Sequence, residues 1–224
     1  GYVRSLTGIY NGYQVSSLSD GNVISDVHSL RWIVLSNQSD QFYGRYIRNK
    51  EVLQQDFRIY RASDGLQSVI IPPGTYNFTE NMVGLSLAQQ RIVSVTGYVR
   101  WGGYYNGEHT EINLGSNWQP NRNFQMGFQY TANNIELPVG NFTTRLFSVT
   151  SQIAFSSTLS WTNLIQYDNV SEVMGLNSRL HWMPEAGQQA FLVLNYGFED
   201  FDKNNVFKAT NADLSLKLNY TFRF

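Results

Sequence analysis

Apolar and polar residues alternate with a period of two along most of this chain. The clearest run is the last. Leu214, Leu216, Leu218, Tyr220, Phe222 and Phe224 alternate with Ser215, Lys217, Asn219, Thr221 and Arg223. A strand with one apolar and one polar face gives this pattern. Upstream, Ala190, Leu192, Leu194, Tyr196 and Phe198 share a face, and Met174, Leu176, Ser178, Leu180 and Trp182 oppose Gly175, Asn177, Arg179 and His181. Leu159, Trp161, Ile165 and Tyr167 form another face, interrupted by Asn163; Phe147, Val149, Ile153 and Phe155 form the next, interrupted by Ser151. Phe124, Met126, Phe128 and Tyr130, then Ile112, Leu114 and Trp118, then Val93, Val95, Val99 and Trp101, complete eight strands from about residue 92 onward. The opposing faces of the last two carry Glu111, Asn113 and Asn117, and Ser94, Thr96, Tyr98 and Arg100.

The first ninety residues alternate less cleanly. Strands are expected over 76–85, 53–61, 42–48 and 29–36, with one or two more in 2–18, for a total of about 12–14. Leu30, Trp32 and Val34 share a face, but Ile33 and Leu35 break the pattern. No helix is expected, and Pro72-Pro73-Gly74 marks a turn. Short connections at Gln119-Pro120-Asn121, Ser156-Ser157 and Pro184-Glu185-Ala186-Gly187 are expected to alternate with longer ones over 132–143, 168–173 and 199–211. Short turns on one side and long loops on the other belong to transmembrane β-barrels. Trp118 and Trp182 precede short turns, while Tyr130, Tyr167 and Tyr196 fall near the expected loop ends, so both membrane rims would carry an aromatic girdle.

Composition sharpens this expectation. Charged residues make up only 15% and aromatics another 15%, against roughly 25% charged in soluble domains. Cys is 0, which excludes disulfides, thiol nucleophiles and thiolate metal sites. A net charge of −1 provides no basic face for nucleic acid. The mean hydropathy of −0.31 fits a barrel, half of whose side chains face a wet lumen. No apolar run is long enough for a transmembrane helix. The expectation is an all-β, antiparallel transmembrane β-barrel of the outer-membrane type, in a single domain over 1–224 or as the C-terminal part of a larger barrel. It would be a multi-pass protein of the Gram-negative outer membrane. A soluble β-sandwich is the rival fold. Gly1 is not Met and no signal peptide follows, which reads as a removed signal or a piece of a longer protein. The ending at Tyr220, Phe222 and Phe224 resembles the insertion signal read by the barrel-insertion machinery.

Several short motifs resemble an uncharacterised bacterial outer-membrane family. They are Ile71-Pro72-Pro73-Gly74-Thr75-Tyr76, Gln90-Arg91-Ile92-Val93-Ser94, Gly102-Gly103-Tyr104-Tyr105-Asn106-Gly107, Asn177-Ser178-Arg179-Leu180-His181-Trp182 and the ending Leu216-Lys217-Leu218-Asn219-Tyr220-Thr221-Phe222. In that family a domain resembling carbohydrate-binding module family nine precedes a C-terminal domain of unknown function that resembles a β-barrel. The resemblance spans roughly 66–224 and implies the C-terminal part of such a protein. The sugar-binding-like domain is absent here, and the Arg91 segment lacks the Asp-Pro expected before the Arg. The family has no established reaction and implies no catalytic residues.

Candidate chemistry follows from the polar faces. Arg100, Glu111, Arg179, His181, Lys217 and Arg223 are candidate lumen-lining residues, and pairing among them is expected more than an open basic lumen. Tyr104, Tyr105 and His109 are outer-rim candidates, the tyrosines for stacking on sugars and His109, beside Glu108 and Glu111, for a rim hydrolase. Asp200-x-Asp202-x-Asn204 lacks the rest of a calcium loop, so neither metal nor cofactor is expected. The expected role is a membrane anchor, pore or docking subunit linked to glycan binding or transport. The alternatives are a narrow porin for small anions, a rim-site hydrolase, and a structural subunit of an envelope complex. Expected partners are outer-membrane lipid and lipopolysaccharide, the insertion machinery, and a glycan or envelope protein.

Overall fold

The computed structural model describes residues 1–62, 65, 67–200 and 206–221. Every regular element among them is a β-strand. The fourteen strands are β1 (Val3–Ser16), β2 (Val23–Ser36), β3 (Gln41–Leu53), β4 (Phe57–Arg61), β5 (Ser68–Ile71), β6 (Gly74–Ser86), β7 (Val93–Tyr104), β8 (Gly107–Asn121), β9 (Phe124–Leu137), β10 (Gly140–Ala154), β11 (Leu159–Asp168), β12 (Val173–Trp182), β13 (Gln188–Glu199) and β14 (Lys208–Tyr220). Twelve form one sheet in the order β1-β2-β3-β6-β7-β8-β9-β10-β11-β12-β13-β14, and β4 and β5 form a separate hairpin. A sandwich would divide these strands between two packed sheets; here they are hydrogen-bonded neighbours in a single series. No pairing joins β1 to β14 among the described residues, so the sheet is not closed and both strands are edges.

All eight strands expected after residue 92 are present. The alternation of short and long connections is not. The segment 132–143, expected as a loop, is mostly strand, and only Pro138 and Val139 connect β9 to β10. The Leu137 N–H donates to Asn141 Oδ1 across that turn (3.1 Å). Tyr130 therefore lies midway along β9 and not near a loop end. The turn expected at 119–121 falls at Arg122-Asn123, where Asn121 Oδ1 accepts from the N–H groups of Asn123 (2.9 Å) and Phe124 (3.0 Å). The expected strand 53–61 is instead the end of β3 followed by β4.

The chain divides into two compact units. Unit 1 comprises 1–88, 95–114 and 131–144. Its buried apolar cluster is built by the β4–β5 hairpin: Val69 and Ile71 of β5 are 1% and 0% exposed and pack with Leu137 and Phe142. Tyr60 of β4 stacks on Phe142, with ring centroids 4.4 Å apart. On its apolar face, Trp32 of β2 lies over Gly44 of β3; a Cβ at Gly44 would fall 2.4 Å from the indole.

Unit 2 comprises 89–94, 115–130 and 145–224. Its strands keep apolar side chains on one face, and those side chains stay uncovered: Trp182 is 51%, Leu192 42% and Leu216 67% exposed. The polar interruptions of that face fall opposite one another. Ser151, Asn163 and Ser178 are register partners on β10, β11 and β12. Asn163 Nδ2 donates to Ser151 Oγ (3.2 Å), Ser178 Oγ to Asn163 Oδ1 (2.7 Å), and Trp161 Nε1 to Ser178 Oγ (2.8 Å). The interruptions satisfy one another, which is how an apolar face tolerates them.

Ile71 is fully enclosed, so Ile71→Ala removes methylenes that nothing refills. The expected loss is about 2–5 kcal/mol, read by denaturant unfolding of the purified chain, with faster proteolytic cleavage within 54–73.

Candidate functional site

The polar face of unit 1 carries a hydrogen-bonded ladder that steps from strand to strand. Ser25 Oγ of β2 donates to Glu51 Oε1 of β3 (2.7 Å), and Arg45 Nη2 of β3 to Ser29 Oγ of β2 (2.9 Å). Asn49 Nδ2 of β3 donates to Glu80 Oε1 of β6 (3.0 Å). Arg100 Nη1 of β7 lies 3.6 Å from Glu80 Oε2. Asn113 Nδ2 of β8 donates to Thr131 Oγ1 of β9 (2.8 Å), and Asn133 Nδ2 of β9 to Thr144 Oγ1 of β10 (3.3 Å).

The centre of the ladder is Glu111 of β8, which is 7% exposed. The Tyr98 hydroxyl donates to its Oε1 (2.6 Å); Arg100 Nε donates to its Oε2 (2.8 Å), and Arg100 Nη2 also bonds that oxygen. Two residues apart on β7, Tyr98 and Arg100 point the same way, and Glu111 meets both from the next strand. Three donors, two of them on the charged guanidinium, satisfy this buried carboxylate. Glu80 is equally buried, but its Oε2 has no hydrogen-bond partner. His109 of β8, two residues before Glu111, is also 7% exposed, and its Nδ1 likewise lacks a partner.

Above the ladder sits an aromatic cluster. At Gly102, φ is 138°, and a Cβ there would fall 2.4 Å from the Thr79 carbonyl oxygen. Only glycine lets β7 approach β6 so closely while holding that conformation. Tyr105 turns the chain into β8 with φ of 53°. Its ring meets those of Tyr104 (5.0 Å), Tyr76 (5.3 Å) and Phe78 (5.6 Å), and Tyr104 meets His109 (5.2 Å). Burial pushes the Tyr105 phenol up to about 12, with the charge of the neighbouring Tyr104 phenol adding to it.

Ladder, aromatic cluster and hairpin border a half-open cavity of about 290 Å³ lined by Ile59, Glu80, Arg100, Tyr104, His109, Asn133, Ile135, Phe142 and Thr144. Of the residues singled out from the sequence, Arg100, Glu111, His109, Tyr104 and Tyr105 come together here. Arg179, His181 and Lys217 belong to unit 2 and do not line the cavity. Arg179 and Lys217 are exposed, and the His181 ring stacks on Phe191 at 4.3 Å. Trp118 and Trp182 are exposed at strand ends, and Tyr167 and Tyr196 lie close to the ends of β11 and β13. Tyr220 closes β14; Phe222, Arg223, Phe224, Asp202 and Asn204 lie outside the described residues. Sequence reasoning missed Glu80, Asn49, Asn133 and Thr144. For Glu80 a signal existed, since it alternates with Tyr76, Phe78 and Met82 on one face of an expected strand. Comparison with protein-family models, curated proteins and solved structures finds no match, and the family resemblance rests on its short motifs alone.

Arg100 is the ladder's central cation. Replacing it alone, as Arg100→Met, leaves Glu80 and Glu111 buried without it and is expected to cost about 3–5 kcal/mol. Arg100→Met with Glu111→Leu removes that charge pair together and is expected to recover part of the loss in the same unfolding assay, the remainder belonging to Glu80, which still loses Arg100.

Proposed function

We propose that this chain is a transmembrane β-barrel of the Gram-negative outer-membrane type, acting as a membrane anchor with a docking pocket in its polar interior. One observation carries the reading: the apolar faces of the strands are left uncovered. Trp32, Trp118, Trp161 and Trp182 are all exposed within a few residues of strand ends, and Leu30, Phe42, Val83, Leu114, Phe128 and Ile165 lie exposed along the strands between. The buried apolar residues among those described are Val27, Ile47, Val69, Ile71, Ala88, Leu137 and Phe142, few for a chain that is 42% hydrophobic. In water such a surface would be a large association patch. In lipid it is the normal exterior of a barrel, and the polar ladder is the normal interior.

Closure is part of the proposal, because lipid leaves no water to satisfy a sheet edge. The edges suit each other. Twelve strands in antiparallel series give β1 and β14 opposite directions. Both carry apolar residues on one face: Leu6 and Tyr10 on β1, and Leu214, Leu216 and Leu218 on β14.

Docking is favoured over passage of anions because Arg100, the cation nearest the cavity, is committed to Glu111 and Glu80. It is favoured over hydrolysis because no serine or cysteine stands among the cavity's lining residues, and the one threonine there, Thr144, is hydrogen-bonded to Asn133 and not to His109. A glycan or an envelope protein is the partner class that the resemblance suggests.

An arginine scan in lipid vesicles tests the membrane reading. Leu216→Arg and Phe128→Arg on the apolar face are each expected to cost about 2–4 kcal/mol of folding free energy near the bilayer midplane. Asn219→Arg on the polar face of β14 is expected to be mild. Equal tolerance of all three would sink the assignment of faces.

A further inference from the structure

We propose that the cavity on the polar face of unit 1 binds a small organic ammonium ion, with Glu80 as its counter-charge. Two polar side chains lining it are more than nine-tenths buried and each leaves an atom without a hydrogen bond: Glu80 through Oε2 and His109 through Nδ1. The charges around the cavity do not balance. Arg100 gives both of its donor contacts under 3 Å to Glu111, while its remaining nitrogen stands 3.6 Å from Glu80. Glu80 and Glu111 thus share one guanidinium. A buried carboxylate oxygen without a donor is costly, and a ligand that brings both a donor and a positive charge relieves it.

The choice among ligand classes follows from the same atoms. An anion would have to approach Glu80 Oε2, which no hydrogen bond screens and which the guanidinium reaches only at 3.6 Å. A neutral hydroxyl would supply a donor and leave the charge imbalance in place. Among the described residues, no group of three or more His, Cys, Asp or Glu side chains gathers to hold a metal ion. An ammonium group carries the charge and several N–H donors, for which Glu80 Oε2 is an acceptor, and His109 Nδ1 a second one in the tautomer that carries its proton on Nε2. The other walls suit its hydrocarbon body: Ile59, Ile135 and Phe142 are apolar, and Tyr104 adds an aromatic ring. The volume of about 290 Å³ stands at the small end of ligand sites. The site lies wholly within unit 1 and does not rest on the membrane reading, so either proposal can fail while the other stands.

The test is isothermal titration calorimetry of the purified, folded full chain at neutral pH with three probes of similar size: benzylamine, benzyl alcohol and benzoate. The expected result is saturable one-site binding of benzylamine, at least tenfold tighter than benzyl alcohol, with benzoate weakest. Glu80→Gln and His109→Gln should each weaken benzylamine at least tenfold, and Lys217→Gln in unit 2 should leave it unchanged. Should Glu80→Gln fail to fold, the charge series on the unaltered chain decides alone. Absence of saturable benzylamine binding, equal affinity for the alcohol, preference for benzoate, or unchanged affinity in both cavity variants would overturn the proposal.

Discussion

Every strand of this sheet must settle two faces at once, and only one of them is settled by protein. The apolar face finds little cover: its leucines, phenylalanines and tryptophans remain exposed along the strands. The rest of the fold depends on that constraint. Polar groups on the apolar face must satisfy one another, as Ser151, Asn163, Ser178 and Trp161 do. Polar groups on the other face must organise themselves without a conventional apolar core, and in unit 1 they form a ladder from β2 to β10.

Within that ladder the physics is uneven, and the unevenness locates the site. Glu111 is saturated by Tyr98 and Arg100, so its role is structural. Glu80, one strand beyond Arg100, keeps Asn49 and a distant guanidinium nitrogen. The β4–β5 hairpin then supplies what the polar face lacks. Val69 and Ile71 dock against Leu137 and Phe142, and Ile59 becomes a wall of the cavity. The small apolar core of unit 1 and its candidate site are therefore one construction: the hairpin that buries the first borders the second.

The sequence made the strands after residue 92 legible because apolar and polar residues contrast sharply there. It failed where the contrast fades. Across 131–137, Asn133 and Asn134 fall on opposite faces, so β9 continues beyond its apolar band while reading as a loop. In β2, Ile33 and Val27 sit on the polar face because that face is itself partly buried within unit 1. Val69-Ile70-Ile71 is too short to show a period, so the hairpin left no signal. Arg100, Glu111 and His109 were visible as polar residues in apolar strands, and their grouping with Tyr104 and Tyr105 follows from the turn between β7 and β8. Glu80 stood out on its own strand in the same way, but its place beside Arg100 needed the pairing of β6 with β7, a long-range fact that local alternation does not contain.

The central claim is that the edges β1 and β14 join when the chain enters a bilayer. With Cys at 0, an engineered disulfide reports this without background. Gly8, whose Cβ would meet nothing within 4 Å, pairs with Trp32 on the apolar face. Gly8→Cys can be combined in turn with Ala212→Cys, Leu214→Cys, Leu216→Cys and Leu218→Cys in vesicles under oxidising conditions. The account predicts an intramolecular disulfide at monomer mass, concentrated in one register. Cross-linking only between chains, or at none of the four positions, would contradict it.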